Sequence, residues 1–146
     1  MRYPVNPPIV VTSIYGKQRR FYARGEWHSD IHNGIDFVNQ NGDCKVYPVL
    51  DGEIIAQEWH YTTGYYSIIK HRTSKQVLYS KYCHLSFVKF NVGDIVRQTD
   101  CIGVYAKVGL STGPHLHVSV YNAKWQHFDF NSWLDIDYTK RIGESA

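Results

Sequence analysis

The sequence has no apolar run approaching the roughly 18 residues that a membrane-spanning helix needs, so a helical span is not expected. Its first eight residues, Met1-Arg2-Tyr3-Pro4-Val5-Asn6-Pro7-Pro8, lack the apolar segment of a secretory leader. The expectation is a cytosolic chain, a domain cut from a longer protein, or a protein carried out by a phage particle. Cysteine is scarce. Cys44, Cys83 and Cys101 stand far apart with no C-x-x-C pair, which argues against a cysteine-rich structural zinc site and a full disulfide framework. One bridge plus one free thiol stays open. Long helical periodicity is missing as well. No long basic run exists: the net charge is +3, and Lys and Arg are scattered apart from short groups such as Lys17-Gln18-Arg19-Arg20. That distribution gives no reason to expect a nucleic-acid partner. No repeat, linker or low-complexity segment divides the chain.

What is present fits one compact domain over residues 1–146. The length suffices for a real core, and 43% hydrophobic with 20% charged residues rules against disorder. Twelve Tyr, four Trp and six Phe suit pleated sheets and exposed grooves. Short β-rich runs alternate with turn signals, over residues 9–12, 45–49, 52–58, 65–70, 76–84, 102–105 and 115–121. Asn33-Gly34, Asn41-Gly42, Asp51-Gly52 and Val92-Gly93-Asp94 mark turns in which glycine takes positive φ. The expected fold class is mainly β, a single-domain antiparallel sheet or sandwich. Residues 15–31 read as a long loop, Ser111-Thr112-Gly113-Pro114 as a second, and Asp129 to Asp135 as one helical turn.

Chemistry concentrates in the histidines, of which there are eight. His32-Asn33-Gly34-Ile35-Asp36 and His115-Leu116-His117 stand out. Each pattern arises by chance about once in two such chains, so neither suffices alone. Strand geometry strengthens the second. His115, His117, Ser119 and Tyr121 share one face, while Leu116, Val118 and Val120 share the other. The apolar face turns to the core and both imidazoles project into a cleft. The Asn-Gly bend brings His32 and Asp36 towards one point. Two imidazoles and one carboxylate are a zinc donor set that leaves a coordination position open, and such an ion acidifies water and polarises a carbonyl. Whichever of His115 and His117 is not a ligand, together with His84, is available for proton transfer.

Three blocks in this order resemble those of the lysostaphin/LytM-type zinc endopeptidases of peptidoglycan, the duplicated-hybrid-motif peptidases. They are His32-Asn33-Gly34-Ile35-Asp36-Phe37, Tyr82-Cys83-His84-Leu85-Ser86, and Ser111-Thr112-Gly113-Pro114-His115-Leu116-His117. The resemblance spans about residues 9 to 134. It implies an antiparallel sheet with a loop-walled groove. It implies one zinc ion held by His32, Asp36 and His117, with His115 as base or transition-state stabiliser and His84 orienting water and intermediate. It also implies peptidoglycan peptides as the partner and the cell wall as the place of action, with a phage-borne lysin or tail-associated domain as one form. Cys83 stands where the family often has Ala, and Ser119 where an acidic residue is frequent. The loop before Ile31, which often carries a Tyr for the oxyanion, has no clean match, so substrate-binding residues stay unassigned.

Two rival functions fit the residues less well. A zinc-bearing but non-catalytic wall-binding or regulatory domain is disfavoured by the intact His84 and His115. A cysteine amidase using Cys83 is disfavoured because neighbours in a strand face opposite ways, which turns the thiol from His84. His28 is expected in a loop, and His60, His71 and His127 at the surface or in turns.

Overall fold

The structure, a computed structural model, describes residues 1–134. Eleven strands and one helical turn follow along these residues: β1 (Ile9–Ser13), β2 (Gln18–Ala23), β3 (Glu26–Ile31), β4 (Ile35–Asn39), β5 (Lys45–Val46), β6 (Gly52–His60), β7 (Gly64–Arg72), β8 (Val77–Val88), β9 (Ile95–Val96), β10 (Gly103–Tyr105), β11 (Leu116–Tyr121) and α1 (Asn131–Leu134). Nine strands form one sheet in the order β1-β4-β11-β8-β7-β6-β9, with β10 joining β8 to β5. All pairings are antiparallel, as the alternating short strands predict. The expected helical turn lies at Asn131–Leu134, and its last residue, Asp135, falls outside the described residues.

The sheet stands on a period-2 pattern. Leu116, Val118 and Val120 on β11 and Ile35 and Phe37 on β4 are fully buried. They pack with Ile54, Ile69, Tyr82, Leu85, Ile102 and Phe130 in one cluster. Each such aliphatic contributes roughly 1.5–3 kcal/mol relative to exposure. The opposite face of the same strands carries Asp36, His117, Ser119 and Tyr121, so the register that builds the core also lifts these side chains onto a groove.

Residues 15–31 are not the long loop expected. They hold a two-stranded ribbon, β2 paired with β3 from Gln18↔Ile31 to Ala23↔Glu26, separate from the main sheet. Its outward side exposes Tyr22, Trp27 and Ile31. Its inward side, with Arg19 and Phe21, borders the groove. Because β1 and β4 pair directly, the ribbon is an excursion between neighbouring strands. Two further strands, β4 and β9, carry no expectation from the sequence. The run expected over 45–49 is ladder only at Lys45–Val46.

Candidate metal centre

Adjacent strands bring three side chains to one point. Asp36 and His117 are direct partners across β4 and β11. His32 precedes the Asn33-Gly34 bend and is tied down by two backbone bonds, His32 N to Lys17 O (2.9 Å) and Gly16 N to His32 O (2.8 Å). Gly34 is not needed for positive φ, as the sequence suggested, since its backbone is not left-handed. Close approach requires it. A Cβ there would overlap the Val118 carbonyl and lie 2.9 Å from His117 Cε1, so any side chain would push the bend off β11 and separate His32 from its partners.

His32 Nε2, His117 Nδ1 and Asp36 Oδ1 form a near-equilateral triangle. The sides are 2.9 Å (His32–His117), 3.0 Å (His32–Asp36) and 2.9 Å (His117–Asp36). The outer nitrogens decide what the inner ones carry. His32 Nδ1 lies 2.9 Å from the Ile14 carbonyl, which can only accept, so Nδ1 is the protonated nitrogen. His117 Nε2 donates to Ser119 Oγ at 2.8 Å, and Ser119 in turn donates to Asn33 Oδ1 at 3.1 Å. In the neutral tautomers, both inner nitrogens therefore aim lone pairs at the carboxylate. Three acceptors at this range hold together only around positive charge, supplied by extra protons or by a cation. A tetrahedral ion with bonds of about 2.0–2.2 Å spaces its ligands about 3.3–3.6 Å apart, close to what is seen. Among the described residues these three form the one cluster of His, Cys, Asp and Glu able to grip a metal. The donor set fits zinc.

Electrostatics agree. Burial pushes the Asp36 carboxyl up, but its bonds with His117 and His32 outweigh burial and hold it ionised, far below the usual carboxylate range. Burial lowers His117 more than Asp36 raises it, which favours the neutral, ligating form.

Two further histidines border the groove, which encloses about 590 Å³ between the ribbon and the 110–115 loop. His84 donates Nδ1–H to the Val108 carbonyl at 2.8 Å, leaving Nε2 as an acceptor. Burial and the neighbouring His115 push its pKa down to about 4. His115 donates Nδ1–H to the Gly113 carbonyl at 2.9 Å, and Ser111 Oγ bonds the same carbonyl. Its Nε2 lies 3.6 Å from Asp36 Oδ2. The two rings are 4.6 Å apart.

The site also contains what the sequence did not reveal. Arg19 reaches in from β2 and donates to Asp36 Oδ2 at 3.3 Å. Ser119 was visible as a same-face neighbour of His117 but not as its hydrogen-bond partner. Cys83 does not turn away from His84. The ladder between β7 and β8 slips between Tyr65 and Ser67, and His84 takes a left-handed φ of 66°. Strand alternation breaks there, so Cys83 and His84 both border a second, smaller cavity beside the groove. Burial nevertheless pushes the thiol up to about 12, which leaves almost no thiolate for nucleophilic attack. All three cysteines are free. His71 is a core residue instead of a surface one, 1% exposed, and His28 lies in β3, stacked on Phe21.

Comparison with known proteins gives a consistent picture. The family model described as peptidase family M23 matches residues 30–130. The chain is 32% identical over 120 residues to the peptidoglycan DD-endopeptidase ShyB of Vibrio cholerae, covering 82% of this chain and 27% of that protein. The chain spans about a quarter of the length of the curated relatives it matches. Among solved structures, a zinc-containing peptidase from Vibrio cholerae superposes with a TM-score of 0.70 at 30% identity, over 87% of this chain and 37% of that one. A mutant catalytic domain of the prophage-encoded M23 protein EnpA from Enterococcus faecalis superposes with a TM-score of 0.66 at 25% identity, over 85% and 90% of the two chains. Among the described residues no helix is long and apolar enough to cross a membrane.

Proposed function

This chain belongs to peptidase family M23, and from that premise we propose that it is a zinc endopeptidase cutting peptide bonds of bacterial peptidoglycan. One observation carries the reading. Three acceptor atoms, each fixed by its own surroundings, converge at 2.9–3.0 Å on the floor of a groove. His32, Asp36 and His117 are the ligands of one zinc ion. When bound, zinc supplies Lewis acidity and lowers the pKa of a water.

The chain's own groups do the rest. His84 and His115 each present an unprotonated Nε2 to the groove, because each donates its Nδ1–H to a backbone carbonyl. Either ring can take a proton from the attacking water and return it to the departing amine. A low pKa keeps His84 neutral, with Nε2 unprotonated, at physiological pH. The groove walls, the ribbon on one side and the 110–115 loop on the other, position the substrate peptide.

The activity named for the Vibrio relative favours a DD cross-link between stem peptides over a glycine bridge. The reading has the chain act on the wall, as one peptidase domain, and the prophage-encoded relative favours delivery by a phage particle.

The test is release of new amino groups from purified sacculi, with and without EDTA, beside a His117→Ala variant. Release by the wild type, lost in both controls, is expected, and fragment masses identify the bond. Zinc binding without release from sacculi of several wall types would sink catalysis and leave a wall-binding domain.

A further inference from the structure

Arg19 enters the site from outside the main sheet. Asp30, its cross-strand partner on β3, grips it from the side: Nε donates to Oδ1 at 2.9 Å and Nη2 to Oδ2 at 2.8 Å. This two-point contact fixes the guanidinium plane. The remaining end, Nη1, is thereby aimed at the metal carboxylate, 3.3 Å from Asp36 Oδ2. The side chain borders the grooves on both sides of the ribbon, one of about 590 Å³ and one of about 280 Å³, as do Phe21, His84 and His117. It sits where a peptide threading past the metal would pass.

The direction of hydrogen bonding around it is one-sided. His32, His84, His115 and His117 each commit a proton outward, to Ile14 O, Val108 O, Gly113 O and Ser119 Oγ. All four offer lone pairs inward, beside a carboxylate. Peptide hydrolysis gathers negative charge on the carbonyl oxygen, and that oxygen needs donors. Among the side chains bonded to the triangle, Arg19 is the one that can only donate. Tyr15, which precedes Arg19 on the same segment, is engaged elsewhere, 2.8 Å from His127 Nδ1, and Tyr22 lies on the outward, exposed side of the ribbon.

We propose that Arg19 is a catalytic donor, its Nη1 binding the carbonyl oxygen of the scissile bond, and that Asp30 is the positioning residue that aims it. This rests on the peptidase reading above. The water oxygen bonds to the carbonyl carbon and its proton passes to a histidine Nε2. The carbonyl π pair moves onto the oxygen facing Arg19. On collapse the pair returns, the C–N bond breaks, and the amine takes the histidine's proton. Arg19 keeps its own protons throughout.

A purely supporting role, steadying Asp36, predicts the opposite sign in zinc binding. A guanidinium draws charge from the ligand carboxylate and repels a cation, so its loss leaves zinc affinity unchanged or raised unless it is holding Asp36 in place. The test uses the full chain with Arg19→Ala, Arg19→Lys and Asp30→Asn. Zinc affinity is measured by competition with a chromogenic chelator. Turnover is measured at saturating zinc on soluble cross-linked muropeptides. For Arg19→Ala, kcat should fall about 10²–10³-fold with KM little changed and zinc affinity not reduced. Arg19→Lys should recover part of kcat, and Asp30→Asn should fall between. Weakened zinc binding in Arg19→Ala, with turnover restored by excess zinc, overturns the proposal in favour of support for Asp36. Wild-type kcat in Arg19→Ala also overturns it while leaving the peptidase reading intact. An inactive wild type removes both.

Discussion

Two histidine networks are buried in this protein, and they differ in what happens to their protons. Around His71 every proton has a place. Nδ1–H donates to the Asp51 carbonyl (2.9 Å), Ser80 Oγ donates to Nε2 (2.6 Å), Tyr82 Oη bonds Ser80 (2.7 Å), and Val49 N–H donates to Tyr82 Oη (2.9 Å). The chain closes on itself and stitches the segment before β6 to β7 and β8. Around His32 and His117 the outer protons are placed just as firmly, but the inner atoms are lone pairs facing lone pairs. Burial alone does not separate structural from functional histidine, since His32 and His71 are equally hidden, each 1% exposed. The separation comes from following each proton to its acceptor and finding where the sequence of donors runs out.

Substitution should pull the two networks apart. Asp36→Ala is expected to abolish hydrolysis and weaken zinc at least about 100-fold, and to lower the melting temperature of the metal-free protein, because Arg19, His32 and His117 lose their shared partner. Chelator competition and calorimetry read the two effects, and retained turnover would break the comparison. His71→Ala should spare hydrolysis and zinc binding and cost stability alone. It leaves Ser80 and the Asp51 carbonyl short of partners and opens a cavity, at about 2–4 kcal/mol by denaturant titration, with kcat of the folded fraction preserved. Ser119→Ala sharpens the metal side: it removes the acceptor that fixes His117's tautomer and should weaken zinc about tenfold.

A pH series sharpens the His71 side. Burial lowers the His71 pKa in the folded state, so the unfolded chain binds the proton more readily. The stability this network contributes is complete above the ordinary histidine pKa of about 6.5 and drains away as pH falls below it. Between pH 7.5 and 5.5 the wild type should lose more stability than His71→Gln. Equal losses would show that His71 does not titrate on unfolding. The smallest effect expected is that of Cys83→Ser, which should leave amino-group release unchanged; a large loss would reopen the thiol's role.

Legibility in the sequence followed burial. β11 was readable because Leu116, Val118 and Val120 mark its core face and so fix which way His115 and His117 point. The β2–β3 ribbon was not, because its outward residues, Tyr22, Trp27 and Ile31, are exposed and no apolar alternation sets it apart from a loop. Arg19 was hidden with it: its meaning lies in contacts to Asp30 and Asp36, 11 and 17 residues away, which no local pattern records. His71 could have been found, since it lies two residues beyond Ile69 on the same strand face, and Ser67, Ile69 and His71 are all buried. The slip at β7–β8 that turns His84 beside Cys83 is a break in alternation and leaves no compositional trace.

The ribbon between β1 and β4 leaves the sheet at Ser13 and returns by Asp36, and those two residues are rungs of the same ladder. Its ends are therefore already neighbours, whatever lies between them. Such an excursion can lengthen, shorten or be exchanged while the strands that carry Asp36 and His117 keep their register. Asp36 and His117 thus stay with the sheet, while His32 and Arg19 travel with the excursion that also walls the groove. A ribbon transplanted from a relative and joined at those two rungs must therefore carry its own His32, Arg19 and Asp30 equivalents if it is to bring a different substrate to a working metal centre.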